Sequence, residues 1–198
     1  MASVVAICNL ALSNIGKENI NALTDSGAEA RACNQFYEHT RDTLLQAYPW
    51  RFAGKTLSLA QITNDRPGQW DYAYSRPSDC LKVRWVRPIY DAATCALTPQ
   101  QEISFPHDID GDTIYCNLSP ALLRYTARTT DPARFSPLFV DALAWHLAVR
   151  LAMPLTRDPK IRSDAWEVAS QMTGAAQMAD ANETRETSDH VSEFIEGR

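Results

Sequence analysis

Residues 37–53 read YEHTRDTLLQAYPWRFA. Tyr37, Thr40, Arg41, Leu44, Leu45 and Tyr48 recur at steps of three and four, which places them on one face of a helix. Pro49 ends that helix, because it has no N–H to donate and disfavours helical geometry in the residue before it. Trp50 and Phe52 follow at the spacing that puts both on one side of an extended strand. So much aromatic area at a helix end reads as a buried corner, either in a core or under a neighbouring subunit.

Working outward, Val4 to Ile15 reads as a first helix. Val4, Ile7, Cys8, Ala11, Leu12 and Ile15 form its apolar stripe, and Gly16 suits the left-handed position after it. Asp25 or Ser26 is placed to cap a second helix running to about Tyr48, with Glu29 near its positive end. Past Pro49 the pattern turns β-like: Phe52 to Ile62, the alternation of Trp70, Tyr72 and Tyr74, then that of Leu81, Val83 and Trp85. Glu102–Phe105 and Thr113–Asn117 flank the turn at Asp108–Asp112 as a hairpin, and Leu123, Tyr125 and Ala127 close the section. Ser136-Pro137 starts a third helix, apolar around most of its circumference, which Pro154 is expected to stop. Lys160 to about Asn182 forms a fourth, with Ile161, Ala165, Val168, Ala169, Met172, Ala176 and Ala179 on one face. The fold expected is therefore α+β. It is mainly a helical bundle (1–50 and 131–183) with a small antiparallel sheet inserted at 51–130 and an extended tail at 184–198.

Composition narrows the function. The 198 residues are 45% apolar, enough for a real core, and no apolar run approaches the ~20 residues that cross a bilayer. With no basic region ahead of the first apolar segment, a soluble, non-exported protein is expected. The net charge is −5, and residues 180–198 hold six acidic residues against two arginines, a local −4. No basic stripe of the kind that neutralises duplex phosphates exists, although folding could gather Arg84, Arg87, Arg124, Arg128 and Arg134. The five cysteines, Cys8, Cys33, Cys80, Cys95 and Cys116, show no C-x-x-C pair and read as buried thiols.

Chemical motifs are few. Asp108-x-Asp110-Gly111-Asp112 has Thr113 and Ser119 where a calcium loop needs glycine and glutamate, so it reads as a turn. His146, beside Trp145, reads as a hydrogen-bonded core residue, and His39 falls on a polar helix face. Glu38 and Arg41, three apart, are placed to pair. No phosphate-cradling glycine loop or nucleophile elbow occurs, so no catalytic residue, metal or cofactor is expected. The aromatics Tyr48, Trp50, Phe52, Trp70, Tyr72 and Tyr74 are candidates for core or interface. Stacking on nucleic acid is disfavoured by the scarcity of cations around Trp70. Phe194 and Ile195, an apolar pair in a polar acidic segment ending at Arg198, suggest a docking peptide; Ile-Glu-Gly-Arg also matches a protease-cleavage sequence.

Three blocks carry a family resemblance. Tyr37, Arg41-Asp42, Leu44-Leu45, Tyr48-Pro49-Trp50 and Phe52-Ala53 resemble the first signature of the tail tubular protein A family, the head-to-tail adaptors of short-tailed bacteriophages. Trp70-Asp71-Tyr72-Ala73-Tyr74 with Pro77 and Asp79-Cys80-Leu81 is similar to the next. Ala142–Ala144 through Leu147-Ala148 and Leu151-Ala152 to Pro154 resembles the family's later apolar helix. The resemblance implies a non-enzymatic virion protein that forms a ring of twelve copies under the dodecameric portal. It would extend the DNA channel, receive a nozzle like tail tubular protein B and lie near tail fibres. Phe194, Ile195 and Arg198 would then reach the portal, and DNA would pass without sequence-specific binding. Assembly in the host cytoplasm and residence in the virion neck follow from the same likeness. The competing reading, from another class, is a nucleic-acid-binding regulator or DNA-packaging accessory factor.

Overall fold

The computed structural model describes residues 3–89 and 104–183. It is an α+β protein. Helices α1 (Val4–Asn14) and α2 (Ala28–Ala47) precede the strands, and α3 (Pro137–Thr156) and α4 (Pro159–Asn182) follow them. Between lie β1 (Gly54–Ser58), β2 (Gln61–Ile62), β3 (Tyr72–Ser75), β4 (Cys80–Pro88), β5 (His107–Asp110), β6 (Thr113–Cys116) and β7 (Ala121–Ala127).

The helices begin and end where local chemistry places them. Ser3 caps α1 through its side chain, and Gly16, at φ +68°, turns the chain so that Lys17 N–H donates to the Leu12 carbonyl. Gly27, not Asp25 or Ser26, occupies the cap of α2. The Asp25 carboxylate is engaged one turn earlier, by the N–H groups of Asn21 and Ala22. Ser136 caps α3 as expected. Pro154 does not stop that helix: α3 continues to Thr156, whose hydroxyl donates to the Ala152 carbonyl. So near the end a missing N–H deletes a single ladder bond, which a helix tolerates. Arg157 then reverses the chain at φ +57°, and Asp158 caps α4 with Pro159 in its first turn.

α3 is the central helix. Ten of its residues are buried, and α1, α2 and α4 all pack on it. It is also long and apolar enough to span a bilayer by length and composition, which the sequence reading did not anticipate. Here that apolarity is met by other helices, with Leu143, Leu147 and Leu151 fully enclosed.

The strands form two sheets where one was expected. The three-stranded sheet has the order β1-β7-β4, and the four-stranded sheet has the order β2-β3-β6-β5. They share one core, with Val86, Leu123 and Tyr125 from the first against Tyr74, Ile114 and Cys116 from the second. The hairpin β5–β6 turns through Gly111 and Asp112. Only Gly111 has positive φ, at +53°, which is the type II′ pattern. Its first strand starts at His107 rather than at Glu102, and residues 102 and 103 lie outside the described residues. The regular alternation expected for Leu81, Val83 and Trp85 is broken by two bulges in β4. Leu81 consequently packs on the helical core while Val83 packs on the sheet core.

The corner at Tyr48–Phe52 joins the two parts. Trp50 and Phe52 do not sit on a strand; Arg51–Ala53 is a 3-10 turn. The aromatics still meet, because the tight turn brings Trp50 edge-on to Phe139 at 4.9 Å, and Phe52 to the same ring at 4.9 Å. Trp50 is fully buried and its Nε1–H donates to the Leu44 carbonyl at 2.8 Å. That carbonyl is among the last of α2, which have no partner within their own helix. Trp50→Ala is therefore expected to cost about 3–5 kcal/mol, and Trp50→Phe about 1–3 kcal/mol through the orphaned carbonyl. Urea unfolding measures both, and losses under about 1 kcal/mol would show that the corner does not hold the fold.

Candidate interaction surfaces

The aromatic residues singled out from sequence separate by burial. Trp50 and Tyr74 are core, with 0% and 2% exposure. The Tyr74 hydroxyl donates to the Leu118 carbonyl. Tyr48, Phe52, Trp70 and Tyr72 are half-buried. Tyr48 and Phe52 pack on the helical core, Tyr72 on the sheet core, and the Trp70 carbonyl accepts from Asn64 Nδ2 in the loop before β3. The corner is thus internal, and Trp70 stands apart from it. Phe194, Ile195 and Arg198 lie outside the described residues, as does Cys95.

Arg41 is 4% exposed and pairs with its neighbour Asp42, not with Glu38. Its place on the inner face, beside Tyr37, turns it away from the solvent-facing Glu38. Asp42 also receives Arg128 Nε at 3.0 Å, so this one carboxylate ties α2 to the end of β7. The Tyr37 hydroxyl is buried with no partner among the described residues, and burial pushes its pKa up to about 12.

The remaining motifs are structural in placement. Arg66 engages both Asp108 and Asp110 and stacks over Tyr115, whose hydroxyl donates to Asp65. This network clamps the 64–70 loop to the β5–β6 hairpin. Cys8 and Cys33 are both fully buried on α1 and α2, and the neighbouring Cys33 thiol, together with burial, pushes the Cys8 thiol up. Cys80 and Cys116 are also buried free thiols. His146 bonds Thr173 Oγ1 at 2.8 Å across α3 and α4; burial, with Arg150 nearby, lowers its pKa.

Two open clefts stand out among the described residues. The first, about 730 Å³, runs between α2, α3 and α4 and is lined by Phe36, His146, Val149, Met153 and Trp166 with Arg150 and Arg162. Trp166 is 57% exposed there, its ring edge-on to His146 at 5.9 Å. The second, about 590 Å³, lies at the C-terminal end of α4, between Tyr48, the Arg51 turn and the β4–β7 pair. Of the arginines that folding could have gathered, Arg84 and Arg124 meet here, joined by Arg51. The others disperse. Arg87 stacks on Trp85 at 4.2 Å, Arg128 serves Asp42, and Arg134 donates to the Phe52 carbonyl. Sequence spacing missed Arg51 and Asp180, since they become neighbours only when α4 docks.

Asp180 is 7% exposed, and both its carboxylate oxygens accept from the Arg51 backbone N–H, at 3.1 and 3.3 Å. Burial raises its pKa, with Glu183 adding to the effect and Arg51 opposing it.

No protein-family model matches this sequence, and no curated protein does either.

Because its folded-state pKa is raised, Asp180 keeps its proton over a pH range in which the unfolded chain has released it. Its contribution to stability is therefore present below the ordinary value of 3.8 and lost as pH rises through the raised one. Asp180→Asn retains an oxygen for the Arg51 N–H and removes this loss. In urea unfolding between about pH 3.5 and 7, the variant is expected to gain on the wild type as pH rises. A difference that stays constant with pH would show that Asp180 is not perturbed by burial.

Proposed function

We propose that this chain is a head-to-tail adaptor of a short-tailed bacteriophage or prophage. It assembles as a ring of twelve copies beneath the portal, extends the DNA channel and seats the tail nozzle. The observation that supports this reading most is the corner at Tyr48–Phe52. The residues that resemble the family's first signature are the ones that lock the helical body to the inserted β module. A helical body suits side-by-side packing in a ring, and a projecting pair of sheets offers strand edges to a lower tail component. The alanine face of α4 is used internally: Ala165, Ala169 and Ala176 are covered by α3 and the helical core. What α3 and α4 leave open to a neighbour is the Met153–Trp166 cleft and Met178, which is 70% exposed. A net charge of −5 favours DNA sliding past over retention, since retention is set by phosphate contacts.

The competing nucleic-acid reading draws on one observation, the meeting of Arg51, Arg84 and Arg124 in the second cleft. Three cations in one cleft fall short of a stripe that tracks a backbone, and Arg128 is spent on Asp42. Negative-stain imaging of the chain mixed with its cognate portal rings separates the two. An added tier with twelve-fold end views is expected. Bare portal rings, together with salt-dependent retention of the chain on duplex DNA, would move the nucleic-acid reading to the front.

A further inference from the structure

Three elements each deliver an arginine to the cleft at the end of α4: Arg51 from the turn after the corner, Arg84 from β4 and Arg124 from β7. Val83 pairs with Tyr125 and Trp85 with Arg124, so Arg84 is the extra residue of a bulge, the device by which a strand re-aims one side chain. Its Nε donates to Thr126 Oγ1 at 2.7 Å and its NH2 to the Gln46 carbonyl at 3.4 Å, which fixes the guanidinium against the wall. Arg124 lies on Gly54, where a Cβ would stand 2.5 Å from its NH2, and its NH1 donates to Thr56 Oγ1 at 3.1 Å. Arg41, Arg66 and Arg128 all have carboxylate partners, whereas among the described residues no carboxylate lies within ion-pair distance of the Arg51 or Arg124 guanidinium.

The end of α4 accounts for part of this charge. Its terminal carbonyls present roughly half a negative charge, and Asp180 adds a carboxylate held by the Arg51 N–H. The Arg51 and Arg124 guanidinium groups together exceed that sum. The accessible apolar walls, Tyr48 and Pro49, suit the methylene stem of an acidic side chain better than a bare inorganic anion.

We infer that this cleft binds the carboxylate side chains of the acidic segment that follows α4, from Glu183 to Glu196. The inference stands independently of the adaptor reading. The segment carries Glu183, Glu186, Asp189, Glu193 and Glu196 against Arg185, which complements the cleft. It also starts beside the site. Ala181 lines the rim, and Glu186, five residues on, has a reach of up to about 18 Å. The occupant is the same chain's segment, because that segment leaves α4 at the rim of the cleft.

Trypsin cleavage after Arg185 in the full chain tests this, because Arg185 sits inside the docked stretch. With an effective concentration on the order of 1 mM and a Kd on the order of 0.1 mM, docking is expected to slow cleavage about tenfold at low salt. Arg124→Gln and the double variant Arg84→Gln/Arg124→Gln should both abolish that protection, as should about 0.5 M salt. The tail sequence is unchanged in both variants, and far-UV circular dichroism confirms that each is folded. A cleavage rate independent of protein concentration is expected for this same-chain contact; protection that grows with concentration would overturn it in favour of a neighbouring copy. An excess of a synthetic peptide of residues 183–196 carrying Gln at 185 is expected to release the protection. Equal cleavage of wild type and both variants would overturn the inference. So would release by inorganic phosphate at matched ionic strength without release by the peptide.

Discussion

The hydrogen bond from Trp50 Nε1 to the Leu44 carbonyl is the constraint on which the architecture turns. It satisfies a helix-end carbonyl that has no partner within α2, and it does so with the residue that begins the β region. With Pro49 ending α2, this one indole fixes in which direction the chain leaves and which face of α3 the corner meets. Phe139 receives Trp50, Phe52 and Phe135 edge-on, so the start of α3 is held against the same cluster. Both connections between the helical body and the inserted sheets pass through this aromatic group.

Polar contacts then fix the relative placement that apolar packing leaves loose. Asp42 reaches from α2 to Arg41 and Arg128, and Asp180 reaches from α4 to the backbone of Arg51. Each is a carboxylate that links elements far apart in sequence, where directional bonds select one arrangement among several of similar apolar burial. The cleft beside Asp180 arises from the same docking. Bringing the end of α4 to the Arg51 turn necessarily sets it opposite Arg84 and Arg124.

The adaptor reading and the acidic-segment inference are compatible in physical terms. A body with a weak net charge and a separate acidic stretch can hold that stretch on a basic cleft. Contacts of that kind are weakened by salt and exchange readily, as an assembling component requires.

Periodicity and punctuation determined much by themselves. The stripe of α1, Gly16 after it, the Ser136-Pro137 start of α3, and the Gly111 hairpin follow from local steric and capping rules that no distant residue alters. The aromatic corner was legible as buried for the same reason: so much apolar area at a helix end has to be covered. Tertiary structure decided the rest. It divided the strands between two sheets, because pairing partners such as Lys55 and Tyr125 are chosen across long separations that no window reads. The bulges at Leu81 and Arg84 set which β4 side chains face which core, overriding the alternation in the sequence. It also turned Arg41 to Asp42, and carried α3 past Pro154. The cleft of Arg51, Arg84, Arg124 and Asp180 belongs to this second class, since residues from four distant elements share a site only once packing has brought them there.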